Sequence, residues 1–443
     1  MSTDLERGGR PPRTPAGARN NTTGARRNIT TGANLRRRLL PLYIAAGLQG
    51  FMLWTPVEKL FLNEIGFDAA AVGLMAAAYA ALVPLVEVPS GLLADRWSRR
   101  GVLIIANVAL LLSVLVGGLS QNVATYIGGA MVLGVYFAMY SGTMDAIVYD
   151  TVLTETENSD LFERMIGRAR AVESAALVAS SLAGGLLAGL LSARATYFLS
   201  LPFTLLSIVA LLHFAEPTLH QTTERTPLRA QIAVTYRTIA GRGRLLPVVA
   251  LGVLTALISQ VIFEFGPLWL VALSAAPWVY GPFWAALVST LGFGGLLAGR
   301  LPMDRPLVQA GLAGAMALAS VVLTLTRNLV VVAVAQVVLV LLAMALSIHV
   351  ARLLHDEVPS TVRAGVASGV GAFSWIAFLP FALAFGLVSR NLGVGTAGWM
   401  ITGVVVLVGL VLVVDTAVRR RRPAIFTRSE PSAPDPVLTA PIG

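Results

Sequence analysis

Acidic side chains occur where the sequence is otherwise apolar, at Glu58, Glu87 and Glu264. An ionised carboxylate is costly inside a membrane, so such a group holds its proton more tightly and can exchange it as its surroundings change. Glu264 is the best candidate because it lies within the run SQVIFEFGPLW, directly before Gly266 and Pro267, where a helix can break. We therefore predict proton exchange at Glu264, with Glu58 and Glu87 as further candidates.

Each of these acids also has a purely structural interpretation. Glu58 precedes Lys59, which would neutralise its charge locally. Glu58 and Glu264 could both lie in the outer, water-accessible third of their helices. Glu87 comes about one helical turn before Gly91, near the inner interface, where an arginine could pair with it.

A second charged set ends an apolar helix in the stretch LVPLVEVPSGLLADRWSRRG, residues 82–101. Its arginines, Arg96, Arg99 and Arg100, would hold the segment on the cytoplasmic side by charge alone. Asp95 weakens that positive charge, so anchoring does not account for it. Gly91, Asp95 and the three arginines are therefore predicted to form a cytoplasmic gate.

The partners of this gate are predicted from helix ends and charges. The eleventh helix should begin nearby, with Ser360 or Thr361 as its N-cap, and its N-terminus favours a carboxylate such as Asp95 by roughly 0.3–2 kcal/mol. An ion pair from Arg99 to Asp145 or Asp150 could add up to about 4 kcal/mol in a partly shielded site.

The elements that carry these residues are membrane helices. Of 443 residues, 56% are hydrophobic and 13% charged, whereas soluble proteins carry about 25% charged residues. Apolar runs of about 20 residues, long enough to cross a bilayer as helices, recur along the chain. The sequence predicts an all-α polytopic membrane protein with twelve spans: 39–62, 70–93, 101–120, 123–147, 168–190, 193–214, 245–271, 277–300, 306–325, 328–352, 365–388 and 396–418.

The predicted organisation is two six-helix bundles with cytoplasmic ends. Counted along these spans, 29 of the 33 basic residues fall in segments on the side of the N-terminus, which places both termini in the cytoplasm and the protein in the inner (plasma) membrane. The predicted parts are a disordered basic tail (1–38), a first bundle (39–214), a central loop (215–244) with a surface helix at 226–239, a second bundle (245–418) and a C-terminal tail (419–443).

Several functional classes are excluded by what the sequence lacks. The net charge of +10 is explained by arginines facing anionic lipid, so we expect no nucleic-acid partner. There is no cysteine, no GxxxxGK[ST] phosphate loop, and no metal-ligand spacing among the four histidines. We expect no cofactor, no metal and no enzymatic activity.

An internal repeat relates the two halves. GLLADR at 91–96 returns as GLLAGR at 295–300, and Gln49 precedes Pro56 by the same seven residues that separate Gln260 from Pro267. Parallel six-helix halves with a substrate site between them are one architecture of secondary transporters.

The motifs resemble those of the major facilitator superfamily. GLLADRWSRR at 91–100 is similar to the loop between its second and third helices, SGTMDAIVYD at 141–150 to the end of helix four in one subgroup, and VPSTVRAG at 358–365 to the start of helix eleven. The chain departs from the pattern in three ways: Ser98 replaces the usual glycine, Gly299 replaces the acid in the second copy, and the arginine and Gly-Pro of the drug–proton antiporters are absent from helices four and five.

The resemblance implies a monomeric secondary transporter of a small organic solute that works by alternating access. Proton-coupled efflux of an apolar or drug-like compound is the first expectation. Uptake or facilitated transport of a nutrient or metabolite, and a membrane receptor on the same scaffold, are the alternatives. Asp145 is expected near the inner end of the cavity, as a gate partner more than a substrate contact, while Glu173, three residues after Arg170, is expected to form a local surface pair. The predicted cavity residues are Gln49, Gln260, Trp54, Tyr136, Tyr140 and Trp375.

Overall fold

The computed structural model describes residues 20–157, 161–217, 245–358 and 363–421, with side chains from residue 35 onward and a few internal side chains omitted. Within these ranges there are one 3-10 helix, Thr55–Val57, and fourteen α-helices. The α-helices are α1 (Asn20–Gln49), α2 (Glu58–Glu64), α3 (Ala69–Arg96), α4 (Arg99–Leu119), α5 (Val123–Thr156), α6 (Phe162–Leu190), α7 (Ala193–Leu212), α8 (Leu245–Phe265), α9 (Pro267–Ala272), α10 (Pro277–Arg300), α11 (Pro306–Leu325), α12 (Leu329–Glu357), α13 (Arg363–Leu392) and α14 (Val394–Arg421).

The all-α membrane fold predicted from the sequence is confirmed. By length and composition, eleven helical segments among the described residues can cross a membrane, with α8 and α9 counted together. Large apolar side chains stay exposed on many of them, including Leu85 at 71%, Leu190 at 70% and Leu307 at 87%. An apolar surface of this kind is stable only against lipid or another protein.

The first of the twelve predicted spans, 39–62, is not one continuous helix. Its apolar residues are divided between the end of α1, the 3-10 turn and α2, with a break at 50–54. Across the break the Gly50 carbonyl accepts a hydrogen bond from Ser180 Oγ at 3.0 Å, and the Leu53 N–H donates to Ser200 Oγ at 3.1 Å. Side chains of α6 and α7 thus replace backbone bonds that a continuous helix would have made.

Small residues make this break possible. A Cβ on Gly184 of α6 would lie 2.0 Å from the Leu53 carbonyl oxygen, and a Cβ on Gly50 would lie 2.5 Å from the Glu173 carbonyl oxygen. No side chain fits at either separation. The glycines of the SSLAGGLLAGLL run therefore allow α6 to approach the broken first helix closely.

The N-terminal tail differs from the prediction of disorder over 1–38. Helix α1 already begins at Asn20, so residues 20–38 are helical in the structure. Leu35 and Leu39 are both fully buried, and Arg38 forms an ion pair with Glu155 near the end of α5. Tertiary contacts at the end of this segment support a helix that its polar composition does not favour.

The chain separates into two compact units. The first comprises residues 1–224 with 270–289, and the second comprises 225–269 with 290–443. Residues 270–289 belong to the first unit because the start of α10 packs closely on α6: a Cβ on Gly281 would lie 2.7 Å from the Ser181 carbonyl oxygen. The predicted boundaries at 39–214 and 245–418 stay predictions.

The two units repeat the same internal packing. In the first, α4 contacts α5 and α7, and α1 contacts α6 and α7. In the second, α11 contacts α12 and α14, and α8 contacts α13 and α14. These are equivalent pairs in a doubled six-helix plan, as the GLLADR and GLLAGR repeat predicts.

Polar links also occur at equivalent places. Ser207 of α7 donates to Asn107 Oδ1 of α4 at 2.8 Å, and Thr416 of α14 donates to Gln309 Oε1 of α11 at 3.1 Å. Other sequence predictions fall outside the described residues: the surface helix at 226–239, the N-cap residues Ser360 and Thr361, and the tail beyond 421.

Candidate functional site

The turn between α3 and α4 carries the predicted gate residues. Arg99 forms an ion pair with Asp150 of α5 and donates to the Ala146 carbonyl at 2.8 Å. Both charged side chains are largely buried, at 16% and 18% exposed. Of the two partners predicted for Arg99, the structure brings Asp150 to it; Asp145 lies in a different cluster.

The remaining gate residues are less constrained. Arg100 donates to the Phe214 carbonyl at 2.9 Å, whereas Arg96 is exposed and Gly91 has open space where a Cβ would stand. The side chain of Asp95 lies outside the described residues, as do Ser360 and Thr361. The contact from Asp95 to the eleventh helix therefore stays a prediction.

Glu216 is a residue of this turn that the sequence did not reveal. Its carboxylate accepts hydrogen bonds from Ser98 Oγ at 2.5 Å, from the Arg99 N–H at 2.6 Å and from the Arg100 N–H at 3.3 Å. A carboxylate at a helix N-terminus satisfies free N–H groups and is favoured by the helix dipole. The segment that follows α7 is thus fastened to the first turn of α4.

The structure shows why serine can replace the usual glycine at position 98. It is the N-cap of α4, with φ −165° and ψ 124°, and its Oγ accepts from the Gly101 N–H at 2.8 Å. This extended conformation suits any residue, so glycine is not needed there. Its hydroxyl connects Glu216 to the helix end, which glycine could not do.

A second charged cluster lies between α5 and α6. Arg170 of α6 donates to Asp145 Oδ1 at 2.8 Å and to Glu173 Oε2 at 3.4 Å. Arg170 and Asp145 are 43% and 50% exposed, and Glu173 is 24% exposed. Glu173 is therefore more than a local surface pair, since Arg170 joins it to a carboxylate of the neighbouring helix.

Two tyrosines of α5 border this cluster. The rings of Tyr136 and Tyr140 are stacked, with centroids 5.4 Å apart and planes at 23°. Their side chains are 1% and 4% exposed, and both interact electrostatically with Glu173. The Tyr140 hydroxyl is also a hydrogen-bonding neighbour of the Glu173 carboxylate.

A third polar network surrounds Glu58, beside the break in the first helix. Lys59 Nζ donates to Glu58 Oε2 at 2.8 Å, and Tyr126 Oη donates to Glu58 Oε1 at 2.9 Å. The Tyr126 and Tyr197 hydroxyls are 2.7 Å apart. Lys59 is 3% exposed and Glu58 17% exposed, so this is a buried ion pair with an extended hydrogen-bond chain.

Aromatic rings enclose this network. Trp54 stacks on Tyr197 with ring centroids 5.2 Å apart, and Arg194 lies 5.0 Å from the centre of the Phe61 ring. A cavity of about 10 Å³ next to Glu58 is lined by both tyrosines, Trp54 and Ser113, which is room for about one water molecule. The neutralisation of Glu58 by Lys59, one of the two interpretations open from the sequence, is what the structure shows.

Glu264 lies near the end of α8, one residue before the end of that helix at Phe265. Pro267 begins α9 and has no N–H to continue the ladder. The carbonyl of the intervening Gly266 accepts from Gln336 Nε2 at 3.3 Å. Glu264 is partly exposed, so it lies at the interruption of the seventh membrane helix that its sequence context predicted.

The other predicted residues are dispersed. Glu87 is exposed on α3. Gln49 and Gln260 each have a buried side-chain oxygen without a hydrogen bond in the described residues, as has the Trp54 Nε1. Trp375 is partly exposed and meets Phe378 edge to face, with centroids 6.1 Å apart. The structure groups Tyr136 and Tyr140 with charged residues, and Trp54 with Glu58.

Replacement of Glu58 tests the structural importance of its network. Glu58→Gln should lower the free energy of unfolding by about 3–5 kcal/mol, because Lys59 stays buried without this carboxylate. A double change, Glu58→Gln with Lys59→Met, should recover most of the loss. The measurement is thermal and denaturant unfolding of the purified protein.

Asp304 provides the matched control for this experiment. It pairs with Arg352 at 2.6 Å, but the two side chains are 69% and 56% exposed. Asp304→Asn should therefore cost no more than about 1 kcal/mol. Equal stability of the Glu58→Gln protein and the wild type would contradict a stabilising role for the buried pair.

Comparison with known proteins agrees with this architecture. A sequence profile of the Major Facilitator Superfamily matches residues 39–378. No curated protein sequence matches significantly.

Solved transporter structures share the fold. A nucleoside transporter, NupG, is 12% identical with a TM-score of 0.70, covering 85% of this chain and 99% of its own. A bacterial homologue of the human lysosomal transporter Spinster, inward-facing and occupied, is 15% identical at 0.69, covering 87% and 98%. A D-xylose–proton symporter is 16% identical at 0.64, covering 84% and 96%. The profile match over most of the chain shows that this protein belongs to the Major Facilitator Superfamily, whose members it resembles as a multi-pass membrane transporter of small solutes.

Proposed function

We propose that this transporter exports small, largely apolar organic compounds in exchange for protons across the inner membrane. The observation that carries the proposal is the position of Glu264. It is an acid near the end of an apolar membrane helix, partly exposed, and next to the interruption at Gly266 and Pro267. An acid so placed changes its proton affinity strongly when its exposure to water changes.

The other two acids are weaker candidates for the coupling proton. Glu58 accepts hydrogen bonds from Lys59 and Tyr126, so it already has partners within the first unit. Glu87 is exposed on α3, seven residues before the helix begins its last turn near Ala94, so its proton would equilibrate with one side of the membrane. Glu264 is the acid whose surroundings a helix rearrangement would change most.

Uptake of a polar nutrient is the second candidate. It is favoured by the structural neighbours, which include a nucleoside transporter and a D-xylose–proton symporter. Identities of 12% and 16% carry the fold alone, and the low charge of the membrane helices favours apolar substrates. Direction is therefore the property that an experiment must decide between the two.

Accumulation of a substrate panel tests direction and coupling together. In cells that lack their own exporters, expression of this protein should lower the steady-state level of apolar organic compounds. A proton uncoupler should abolish the difference, because export against a gradient requires the proton motive force. Raised accumulation of sugars or nucleosides, with no effect on apolar compounds, would establish uptake instead.

Substitution of Glu264 tests the coupling residue. Glu264→Gln should abolish proton-driven transport while downhill exchange of the same compound continues, because the amide cannot carry the proton. Glu264→Asp is the matched control and should keep at least part of the coupling. Full proton-driven transport by Glu264→Gln would exclude Glu264 as the coupling site.

We also propose that the α3–α4 turn is the cytoplasmic gate. The pair of Arg99 with Asp150, and the contacts of Glu216 with the first turn of α4, hold this turn in place. We expect Asp95 to act from this turn. The acid would then favour the state in which the cytoplasmic side is closed.

An accessibility experiment tests the gate, and the absence of native cysteine makes it clean. Gly142→Cys is a suitable reporter, since Gly142 is exposed on α5 and has open space around a Cβ. Asp95→Asn should raise its labelling rate from the cytoplasmic side about two- to thirtyfold, the effect of losing roughly 0.3–2 kcal/mol at a helix N-terminus. Unchanged labelling and full transport would refute the gate; Asp304→Asn is the control.

A further inference from the structure

The cluster of Asp145, Arg170, Glu173, Tyr136 and Tyr140, here called the α5–α6 cluster, has no part in the gate or in proton coupling as proposed above. We propose that it is a substrate site and that the transported compound is a lipophilic organic cation. This inference rests on the proposed transport function and narrows its substrate class.

The charge of the α5–α6 cluster is uneven. Two carboxylates share one guanidinium, with Arg170 at 2.8 Å from Asp145 and at 3.4 Å from Glu173. The cluster therefore keeps one net negative charge. Linking two helices needs one ion pair, so the second carboxylate adds a desolvation cost that this link does not require. A positively charged ligand would balance it.

The aromatic residues supply the second half of the recognition. Tyr136 and Tyr140 are stacked and almost fully buried beside Glu173. Tyrosine rings attract organic cations through their negative faces and accommodate apolar groups equally well. The Tyr140 hydroxyl, 4% exposed, hydrogen-bonds to the Glu173 carboxylate and so holds this acid beside the two rings.

The side chains of the α5–α6 cluster differ in exposure, so the cluster has an exposed side and a buried side. Asp145 and Arg170 are about half exposed, Glu173 is one-quarter exposed, and the tyrosines are buried. Charged side chains at this exposure do not face lipid, because the cost in hydrocarbon is several kcal/mol for each. This face of α5 and α6 therefore borders water or ligand, and the tyrosines form the buried side of the cluster.

The position of Glu173 is fixed by the backbone. Its carbonyl oxygen would lie 2.5 Å from a Cβ on Gly50, so α6 and the broken first helix are in direct contact at this residue. Glu173 comes five residues after the start of the predicted span 168–190, about 7.5 Å along the helix axis. A preorganised carboxylate at this depth suits binding better than a mobile surface acid does.

Direct binding to the purified full-length protein is the decisive experiment. The probes are tetraphenylphosphonium, a lipophilic monovalent cation, and triphenylphosphine oxide, a neutral aromatic compound. The wild type should bind the cation at least tenfold more tightly than the neutral probe. Glu173→Gln should weaken cation binding at least tenfold and change binding of the neutral probe less than twofold, because only the charge has been removed.

Three further variants guard against misfolding and indirect effects. Glu173→Asp should keep cation binding within about threefold, Asp145→Asn should weaken it in the same direction as Glu173→Gln, and Asp304→Asn should leave both probes unchanged. Each variant is first checked for a single symmetrical peak in size-exclusion chromatography. If Glu173→Gln does not fold, Asp145→Asn decides the question.

The possible results separate this inference from the transport function. Equal binding of both probes by the wild type, or unchanged cation binding by Glu173→Gln, would overturn the substrate site even if transport of another solute is observed. If the Glu173→Gln protein kept cation binding but its transport no longer responded to the uncoupler, Glu173 would be assigned to proton coupling. That result would also overturn the substrate site. Intact, Glu173-dependent cation binding without transport of any compound would support the site and refute the exporter.

Discussion

Backbone hydrogen bonding in a low-dielectric surrounding is the constraint on which the first unit depends. A membrane helix that breaks at 50–54 exposes polar groups that water cannot satisfy. Ser180 and Ser200 satisfy two of them, and Gly184 lets the partner helix come close enough for these bonds to form. The break then sets the positions of Trp54 and Glu58 on one side and of Glu173 on the other.

Charge in the first unit is arranged in groups with different balances. Glu58 with Lys59 is neutral and buried, as suits a fastening between helices. Arg99 with Asp150 is neutral and partly buried at the α3–α4 turn. The group around Arg170 keeps one uncompensated carboxylate and is the most exposed of the three. Since uncompensated charge is costly in a membrane, the third group has the greatest need of a partner from outside the chain.

The sequence predicted the helices well because hydrophobic runs, bounded by arginines and turn residues, decide where membrane helices begin and end. It predicted the span 39–62 as one helix because hydropathy is summed along the chain, and such a sum does not reveal a short break. The break is caused by Ser180, Ser200 and Gly184, which lie more than 120 residues away in the sequence and become neighbours only after folding.

For the candidate sites, too, the sequence revealed local features but not contacts between distant residues. The charges of the GLLADR turn were visible locally, and Asp150 was one of two predicted partners for Arg99. Glu216 could not be foreseen, since an acid just after a helix has many possible partners. The spacing of Arg170 and Glu173 correctly predicted a local pair, which the structure contains at 3.4 Å. It could not reveal that Asp145, from another helix, would be the closer partner of the arginine.

The two repeats differ in the charged contacts of their equivalent turns. In the first unit Arg99, in the turn after α3, pairs with Asp150 near the end of α5. In the second unit Asp304, in the turn after α10, pairs with Arg352 of α12. Here the turn supplies the acid and the helix supplies the arginine. Both units therefore have an ion pair at this place, but the acid and the base have exchanged positions. The first pair is less than one-fifth exposed and the second more than half exposed, so solvent screens the second far more. The second turn also has Gly299 where the first has Asp95. Both differences place the less exposed ion pair and the additional acid in the turn of the first half, and they leave the second repeat as its packing counterpart.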